Sequence, residues 1–114
     1  MRTFSLVERS PHPGCHEIQV EGEVDLAVAD QLREAIEAAA EHDRILIGLE
    51  RCEFIDSTAI EVIVQAHQQL TANGRTIAVY GPSSQVLRIL SITGLTGNGL
   101  VFESAEEALA VNPI

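Results

Sequence analysis

The chain is 114 residues long and 46% hydrophobic, but it lacks tryptophan, and its aromatic residues are three phenylalanines and one tyrosine. This length predicts a single domain spanning residues 1–114 with one aliphatic core, and no apolar run reaches the roughly 20 residues of a membrane-spanning helix. Seventeen acidic against seven basic residues give a formal charge of −10, which argues against binding to nucleic acid or to an anionic membrane surface.

The first predicted elements are two strands joined by a tight turn. Residues 3–9 (TFSLVER) and 16–22 (HEIQVEG) alternate apolar and polar side chains, as half-buried strands do. Two prolines and a glycine in residues 10–14 (SPHPG) break the chain between them, so the strands are expected to pair antiparallel. Ile18 and Val20 are expected on one face of the second strand. The opposite face is expected to carry Glu17, Gln19 and Glu21.

A helix, a buried strand and a second helix are predicted next. Residues 25–42 have apolar side chains at helical spacing, with Asp25 as the predicted N-cap. Residues 44–50 (RILIGLE) are a nearly continuous apolar run, which is typical of a strand buried on both faces. Residues 57–74 show a second helical pattern that ends at Gly74. The residues expected on the buried helix faces are Leu32, Ile36, Ala39 or Ala40, Ile60, Ile63 or Val64, His67 and Leu70.

The last third of the chain predicts two more strand–helix pairs. Residues 75–81 (RTIAVYG) predict a buried strand, and residues 83–94 predict the helix that follows it. Residues 100–103 (LVFE) predict a short strand before a final helix at 104–111. The residues that specify these helices are Val86, Ile89 and Leu90 on the buried face of the first, Gly94 at its end, and the capping box of Ser104 and Glu107 in the second.

The predicted order of elements is therefore β-β-α-β-α-β-α-β-α. Strands that alternate with helices imply right-handed crossovers and parallel pairing. We predict an α/β fold with a mainly parallel sheet, one antiparallel strand at the N-terminal end, and helices packed on the sheet. In such sheets functional groups gather where the carboxyl ends of strands meet the amino ends of helices.

A polar triplet, Asp56, Ser57 and Thr58, lies at one such junction, after a strand that ends near Glu50 and before a helix that begins near Thr58. One interpretation is helix capping. Thr58 with Glu61 matches the T-x-x-E capping box, and Asp56 or Ser57 is an alternative cap. The other interpretation is that Ser57 accepts a phosphate, whose charge a helix amino terminus tolerates. Both can hold, because a cap at Thr58 leaves Ser57 at the rim.

Three stretches resemble the STAS domain of bacterial anti-sigma factor antagonists: GEVDLAVADQL (22–32), FIDSTAIEVIV (54–64) and GPSSQVLRILSITGL (81–95). That family has a D-S-[ST]-G-L-G motif at the start of a helix and a T-G-L turn downstream. The matching residues here are Asp56, Ser57 and Thr58, Ile60 in place of leucine, and Thr93, Gly94 and Leu95. The chain departs from the motif at Ala59 and Glu61, where the family has glycine.

The resemblance implies a protein-binding module that has no cofactor, metal or enzymatic activity. Such an antagonist binds an anti-sigma factor that is also a serine kinase, and so releases a sigma factor. The kinase then phosphorylates the first motif serine, here Ser57, and a serine phosphatase reverses the modification. A cytoplasmic location and a weak homodimer are also expected. The expected partner-binding residues are Asp25, Asp56, Ser57, Thr58, Ala59, Ile60, Glu61 and Ser83.

Two other functions remain open. Glu61 lies one turn from Ser57 and would repel a phosphate there, which favours a non-phosphorylated STAS scaffold. Such scaffolds include a stress-signalling component and the small subunit of a lipid-transport ATPase. A serine hydrolase is less favoured, because Ile55 stands where the nucleophile-elbow motif needs glycine and His67 is the only histidine downstream of Ser57.

The cysteines and their histidine neighbours suggest two further sites. His12, Cys15 and His16 are spaced like part of a zinc site, but no fourth ligand is close in sequence, so a plain turn is the preferred interpretation. Cys15 precedes the predicted strand at 16–22, and Cys52 follows the predicted strand at 44–50. If these two strands are parallel, the two thiols lie about 20 Å apart at opposite ends of the sheet. That separation exceeds the reach of a disulfide.

Overall fold

The structure, a computed structural model, describes residues 4–92 and 100–110 of the chain. No helix in these two ranges is long and apolar enough to cross a bilayer. The predicted order of strands and helices is confirmed. The elements are β1 (Phe4–His12), β2 (Cys15–Val24), α1 (Ala29–Ala38), β3 (Arg44–Ile55), α2 (Ser57–Ala72), β4 (Thr76–Tyr80), α3 (Ser84–Ile92), β5 (Val101–Phe102) and α4 (Ala105–Ala110).

The five strands form one sheet in the order β1-β2-β3-β4-β5. β1 pairs antiparallel with β2, as predicted, and the three remaining pairs are parallel. Each connection between parallel strands leads to the adjacent strand, always in the same direction across the sheet. Right-handed crossovers therefore place α1, α2 and α3 on the same face of the sheet. The carboxyl ends of β2, β3 and β4 consequently share one edge of the sheet.

Two layers of apolar side chains enclose the sheet. The larger core lies between the sheet and α1, α2 and α3, and the opposite face is covered in part by α4, where Ala108 packs near Leu46 and Ala78. Successive strand residues point to opposite faces, which is why Ile45 and Ile47 belong to the first core and Leu46 to the second. The predicted inward positions that are fully buried in the larger core are Ile18, Val20, Leu32, Ile36, Ala39, Ile60, Ile63, Leu70, Val86 and Leu90.

Two strands are longer than predicted. β1 continues through the predicted break to His12, because Pro11 lies in an edge strand, where a missing N–H costs little, and beside a register irregularity. β3 continues five residues past Glu50 to Ile55. This extension pairs with the end of β2 through two register shifts. The bulges and the polar residues of the extension interrupt the alternation of apolar and polar side chains by which a strand is predicted from sequence.

The first helix is shorter than predicted at both ends. α1 begins at Ala29, and Asp25 is not its cap; the N-cap is Val28, which makes no side-chain cap bond. Instead, the Asp25 carboxylate accepts a hydrogen bond from Ala27 N (3.0 Å), and the Asp25 carbonyl oxygen accepts from the backbone N–H groups of Val28 and Ala29. Asp25 therefore organises a turn that precedes the helix.

The later elements match their predictions closely. α2 ends near Gly74, whose φ of +74° is the left-handed conformation of a helix-terminating glycine. In α4 the Ser104 hydroxyl accepts from Glu107 N (3.2 Å), while the Glu107 carboxylate accepts from Glu103 N (3.1 Å). The predicted capping bond at Ser104 is confirmed. The Glu107 carboxylate, however, accepts from the N–H of Glu103 and not from the N–H of Ser104, which a capping box would use. The predicted stop at Gly94 and the T-G-L turn lie outside the described residues.

The two cysteines are far apart, as predicted. Cys15 pairs with Arg44 at the start of β3, whereas Cys52 pairs with Gly22 close to the other end of the strands. Both thiols are free and buried. Burial raises the pKa of Cys15, and burial likewise raises the pKa of Cys52 from 9.0 to about 11.

The shifted pKa of Cys52 predicts a loss of stability at alkaline pH. The thiol stays neutral in the folded chain but ionises in the unfolded chain above about pH 9, so its contribution is complete below that pH and declines toward pH 11. The decline should be on the order of 2 kcal/mol. Urea titrations at about pH 8 and about pH 10.5 would measure it. Cys52→Ala should reduce the difference, and an unchanged difference would contradict the assignment.

Candidate functional site

The amino terminus of α2 is capped by Asp56. The Asp56 backbone is extended (φ −96°, ψ 175°), and its carboxylate accepts a hydrogen bond from Ala59 N at 3.1 Å. The Asp56 carbonyl oxygen also accepts from Ile60 N at 3.1 Å. The predicted capping box of Thr58 and Glu61 is therefore wrong, because Thr58 already lies inside the helix. The alternative cap, Asp56, is the one observed, and it leaves the Ser57 hydroxyl uninvolved in capping.

Ser57 is the first residue of α2, and its side chain is exposed. Thr58 is half-buried, and Glu61, one turn along the helix, is exposed. Ala59 and Ile60 are 0% and 3% exposed and pack in the larger core. Both residues were expected to bind a partner. Because their side chains are buried, they can pack beneath a partner-binding surface but do not form part of it.

The loop between β2 and α1 lies beside Ser57. Asp56 N donates a hydrogen bond to Val24 O at 3.0 Å, which ties the end of β2 to the start of α2. Asp25, which follows Val24 in the chain, is half-buried. Leu26, at the tip of the turn, is 69% exposed. This arrangement brings an exposed apolar side chain to the sheet edge that carries the polar triplet.

The loop between β4 and α3 completes this edge. Gly81 has φ +65°, which favours glycine, and a Cβ there would lie 2.4 Å from Glu50 Cγ, so a side chain at this position would force the Glu50 side chain to move. Ser83 is exposed, and its hydroxyl accepts a hydrogen bond from Val86 N at 3.2 Å, which caps α3. Leu87, in the first turn of α3, is 39% exposed.

These residues form a surface that we call the Ser57 face. The strand ends and the helix starts place it at a single edge of the sheet, as the parallel topology requires. Sequence reasoning found its polar members but missed the two leucines, because both fall inside segments that were predicted as helices. Its members are Asp25, Leu26, Asp56, Ser57, Thr58, Glu61, Ser83 and Leu87.

No histidine among the described residues lies close to the exposed Ser57 hydroxyl. His67 lies ten residues along α2, about 15 Å from Ser57 at the helical rise, which excludes direct proton transfer between them. His12, Cys15 and His16 lie toward the opposite edge, in β1 and β2, where His16 Nε2 is 2.8 Å from Glu8. Within the described ranges no three metal-ligating side chains converge.

Comparison with known proteins extends these observations. The family model described as the STAS domain matches residues 7–108. The chain is 30% identical over 82 residues to the anti-sigma-B factor antagonist of Listeria monocytogenes, covering 70% of this chain and 72% of the relative.

Solved structures share the fold. The unphosphorylated anti-sigma factor antagonist SpoIIAA superposes with a TM-score of 0.79 at 22% identity, covering 95% of this chain and all of that chain (100%). The phosphorylated form of SpoIIAA, a Bacillus cell fate determinant, superposes with a TM-score of 0.72 at 21% identity, covering 93% of this chain and 97% of that chain.

Proposed function

Because the chain belongs to the STAS domain family, we propose that it is an anti-sigma factor antagonist, a regulatory binding protein and not an enzyme. In this proposal it binds an anti-sigma factor through the Ser57 face and so releases a sigma factor in the cytoplasm. The anti-sigma factor is a serine kinase that phosphorylates Ser57 with its own ATP, and the phosphate ends binding. A serine phosphatase restores the binding form, so the chain itself needs no cofactor.

One observation carries the proposal: Ser57 is exposed at the start of α2 while Asp56 performs the capping. A kinase can reach this hydroxyl without unfolding the helix, and its modification leaves the capping bond in place. The related SpoIIAA has been solved in unphosphorylated and phosphorylated forms, which supports a phosphorylation switch on this fold.

The physical effect of a phosphate at Ser57 would be large at an interface. It adds about −1.5 to −2 charges. Within the isolated chain the amino terminus of α2 tolerates this charge. Inside an interface the same charge must lose its water, and without a matching cation this costs several kcal/mol. Phosphorylation would therefore weaken binding strongly while changing the fold little.

The surroundings of Ser57 indicate what the partner surface should look like. Leu26 and Leu87, which are 69% and 39% exposed, offer apolar contact area beside the polar residues of the Ser57 face. Glu53 and Glu61 are exposed nearby on β3 and α2, and Asp25 is half-buried. We therefore expect the partner to present apolar pockets bordered by basic side chains, and the association rate to fall as salt increases.

The phospho-acceptor is tested by incubating the chain with its cognate kinase and ATP. Tandem mass spectrometry should place the phosphate on Ser57, and Ser57→Ala should abolish its incorporation. Thr58→Ala is the matched control and should still be phosphorylated. Phosphate found only on Thr58, or none at all, would rule out Ser57 as the switch.

Glu61 favours a second candidate, a STAS scaffold that is never phosphorylated. It is exposed four residues after Ser57, on the same side of α2, where it would repel a phosphate. Co-purification from the native cell separates the candidates. A kinase as the retained partner supports the antagonist, whereas a transporter ATPase or a multi-subunit signalling complex supports the scaffold.

A further inference from the structure

A groove lies between α1 and α2, on the helical face of the sheet. Its volume is about 240 Å³, just below the roughly 300–1,000 Å³ of clefts that hold drug-sized molecules. It shares no lining residue with the Ser57 face, and Asn73, which lines it, lies sixteen residues after Ser57, about 24 Å along the helix. The groove is therefore a separate candidate site for a ligand smaller than a drug.

The floor of this groove is apolar. Ile36, Val62 and Leu70 are buried in the larger core and line the groove. Ala40, just after α1, and Ala66, on α2, line it as well. Because each alanine ends in a single methyl group, the two helices leave open a space that a longer side chain would fill. The floor favours the apolar part of a ligand, since moving apolar surface out of water is favourable.

The charged residues of the groove carry a net positive charge, although the formal charge of the chain is −10. Among its described lining residues Arg33 and Arg75 are basic, and Glu37 is the one acid. Arg33 already forms an ion pair with Asp30. Arg75 is half-buried, and its side chain makes no ion pair or hydrogen bond with any residue that the structure describes. Arg75 is thus an unpaired cation beside an apolar floor.

A single negative charge suits this environment better than two. A guanidinium binds a carboxylate through two parallel hydrogen bonds and stays protonated at physiological pH. Glu37 would repel a second negative charge, and Arg33 is already paired. The carboxyl end of α2 would also repel an anion. Leu70 O, however, accepts from Arg75 N, so this carbonyl group is satisfied. The environment therefore favours a monocarboxylate over a phosphate ester, which carries about two charges at neutral pH.

We propose that this groove binds a small carboxylic acid with an apolar body. Its carboxylate pairs with Arg75, and its apolar body covers Ala40 and Ala66. The exposed side-chain amides of Gln65 and Gln69 line the same groove and offer further hydrogen bonds. Because the lining residues come from both helices, the bound ligand connects α1 to α2 and stabilises the folded chain. The Ser57 face takes no part in this site, so this proposal is independent of the proposed function.

The test is a titration of the purified full chain with octanoate at constant pH and ionic strength. Binding should be saturable, with a dissociation constant on the order of 1 mM for a ligand of this size. The melting temperature should rise, and NMR shift changes should cluster at Ala40, Ala66, Gln69 and Arg75. Octanamide has the same shape without the charge and should bind at least about fivefold more weakly. Acetate, which lacks the apolar body, should give no saturable response.

Matched variants locate the site. Arg75→Gln should weaken octanoate binding about tenfold or more, whereas Arg88→Gln removes an exposed arginine of α3 outside the groove and should leave the affinity unchanged. Ala40→Leu, at a half-buried position, places a longer side chain in the groove and should weaken binding by a similar factor, which decides the matter if Arg75→Gln unfolds. The proposal is overturned if octanoate gives no saturable response, or if octanamide binds as tightly as octanoate. It is also overturned if Arg75→Gln or Ala40→Leu, when folded, binds octanoate as tightly as Arg88→Gln.

Discussion

Gly48→Ala should lower the free energy of unfolding by about 3 kcal/mol. Gly48 of β3 pairs with Tyr80 of β4, and a Cβ on Gly48 would lie 2.6 Å from the Tyr80 hydroxyl oxygen and 2.8 Å from its ring Cζ. Tyr80 is only 2% exposed, so its ring has little room to move. The added methyl group overpacks this site, which by itself costs roughly 1–3 kcal/mol.

The second part of the cost comes from Glu17. The Tyr80 hydroxyl donates a hydrogen bond to the Glu17 carboxylate at 2.9 Å, and Glu17 is only 2% exposed. The Glu17 carboxylate also accepts from Gln19 Nε2 at 3.0 Å and from Arg9 Nε at 3.2 Å. Burial raises the pKa of Tyr80, so its hydroxyl stays protonated and able to donate at neutral pH. Displacing the ring removes one donor from a buried carboxylate, at roughly 1–3 kcal/mol.

Urea unfolding of matched glycine variants would measure this effect. Gly74→Ala is the control, because φ is +74° but no atom lies within 4 Å of the added Cβ, so only backbone strain of about 1–2 kcal/mol applies. In a Tyr80→Ala background Gly48→Ala should cost much less, since the ring is gone. A cost for Gly48→Ala no larger than for Gly74→Ala would show that Tyr80 is not held against Gly48.

The types and order of the elements were predictable because they depend on local patterns. The alternation of apolar and polar side chains over residues 16–22 and the apolar run at 44–50 both indicate strands. Neither signal depends on contacts with distant parts of the chain. The helix that contains Ile60 and Ile63 and stops at Gly74 is equally local. Parallel pairing then follows from the alternation of strands and helices.

The predicted boundaries of helices and strands were wrong where one local sequence signal is compatible with more than one structure. Asp25 has the residue type of a helix cap, but its hydrogen bond to Ala27 N serves a turn. The end of β3 includes Glu50, Arg51 and Glu53, and its register shifts disturb the period of two that marks a strand. Bulges depend on the neighbouring strand, so a single segment does not reveal them.

The candidate site was predictable in position but not in its details. The junction of strand and helix placed Ser57 at the sheet edge, and the chain does expose it there. The competition between Asp56 and Thr58 as caps depends on where the helix begins, which is the least certain feature of a sequence pattern. The burial of Glu17 was not foreseen, because its partner Tyr80 is 63 residues away in the chain.

Ser57→Asp should weaken binding of the anti-sigma factor about 100-fold or more, whereas Ser57→Ala should change it little. The aspartate places a permanent negative charge where the proposed switch places phosphate, and its desolvation in the interface carries the cost. Its effect on the fold should be small, because Ser57 is exposed and acidic residues are favourable at a helix amino terminus. Isothermal titration calorimetry with the purified partner would give both affinities.

The matched control for added charge is Gln68→Glu. Gln68 is exposed on the same helix, eleven residues and about 16 Å from Ser57, so this variant adds the same charge outside the Ser57 face. It should bind like the unmodified chain, apart from a small salt-dependent change in association rate. If Ser57→Asp and Gln68→Glu weaken binding equally, net charge and not the site is responsible. If Ser57→Asp binds as tightly as Ser57→Ala, a charge at this hydroxyl does not govern docking, and the scaffold function then gains support.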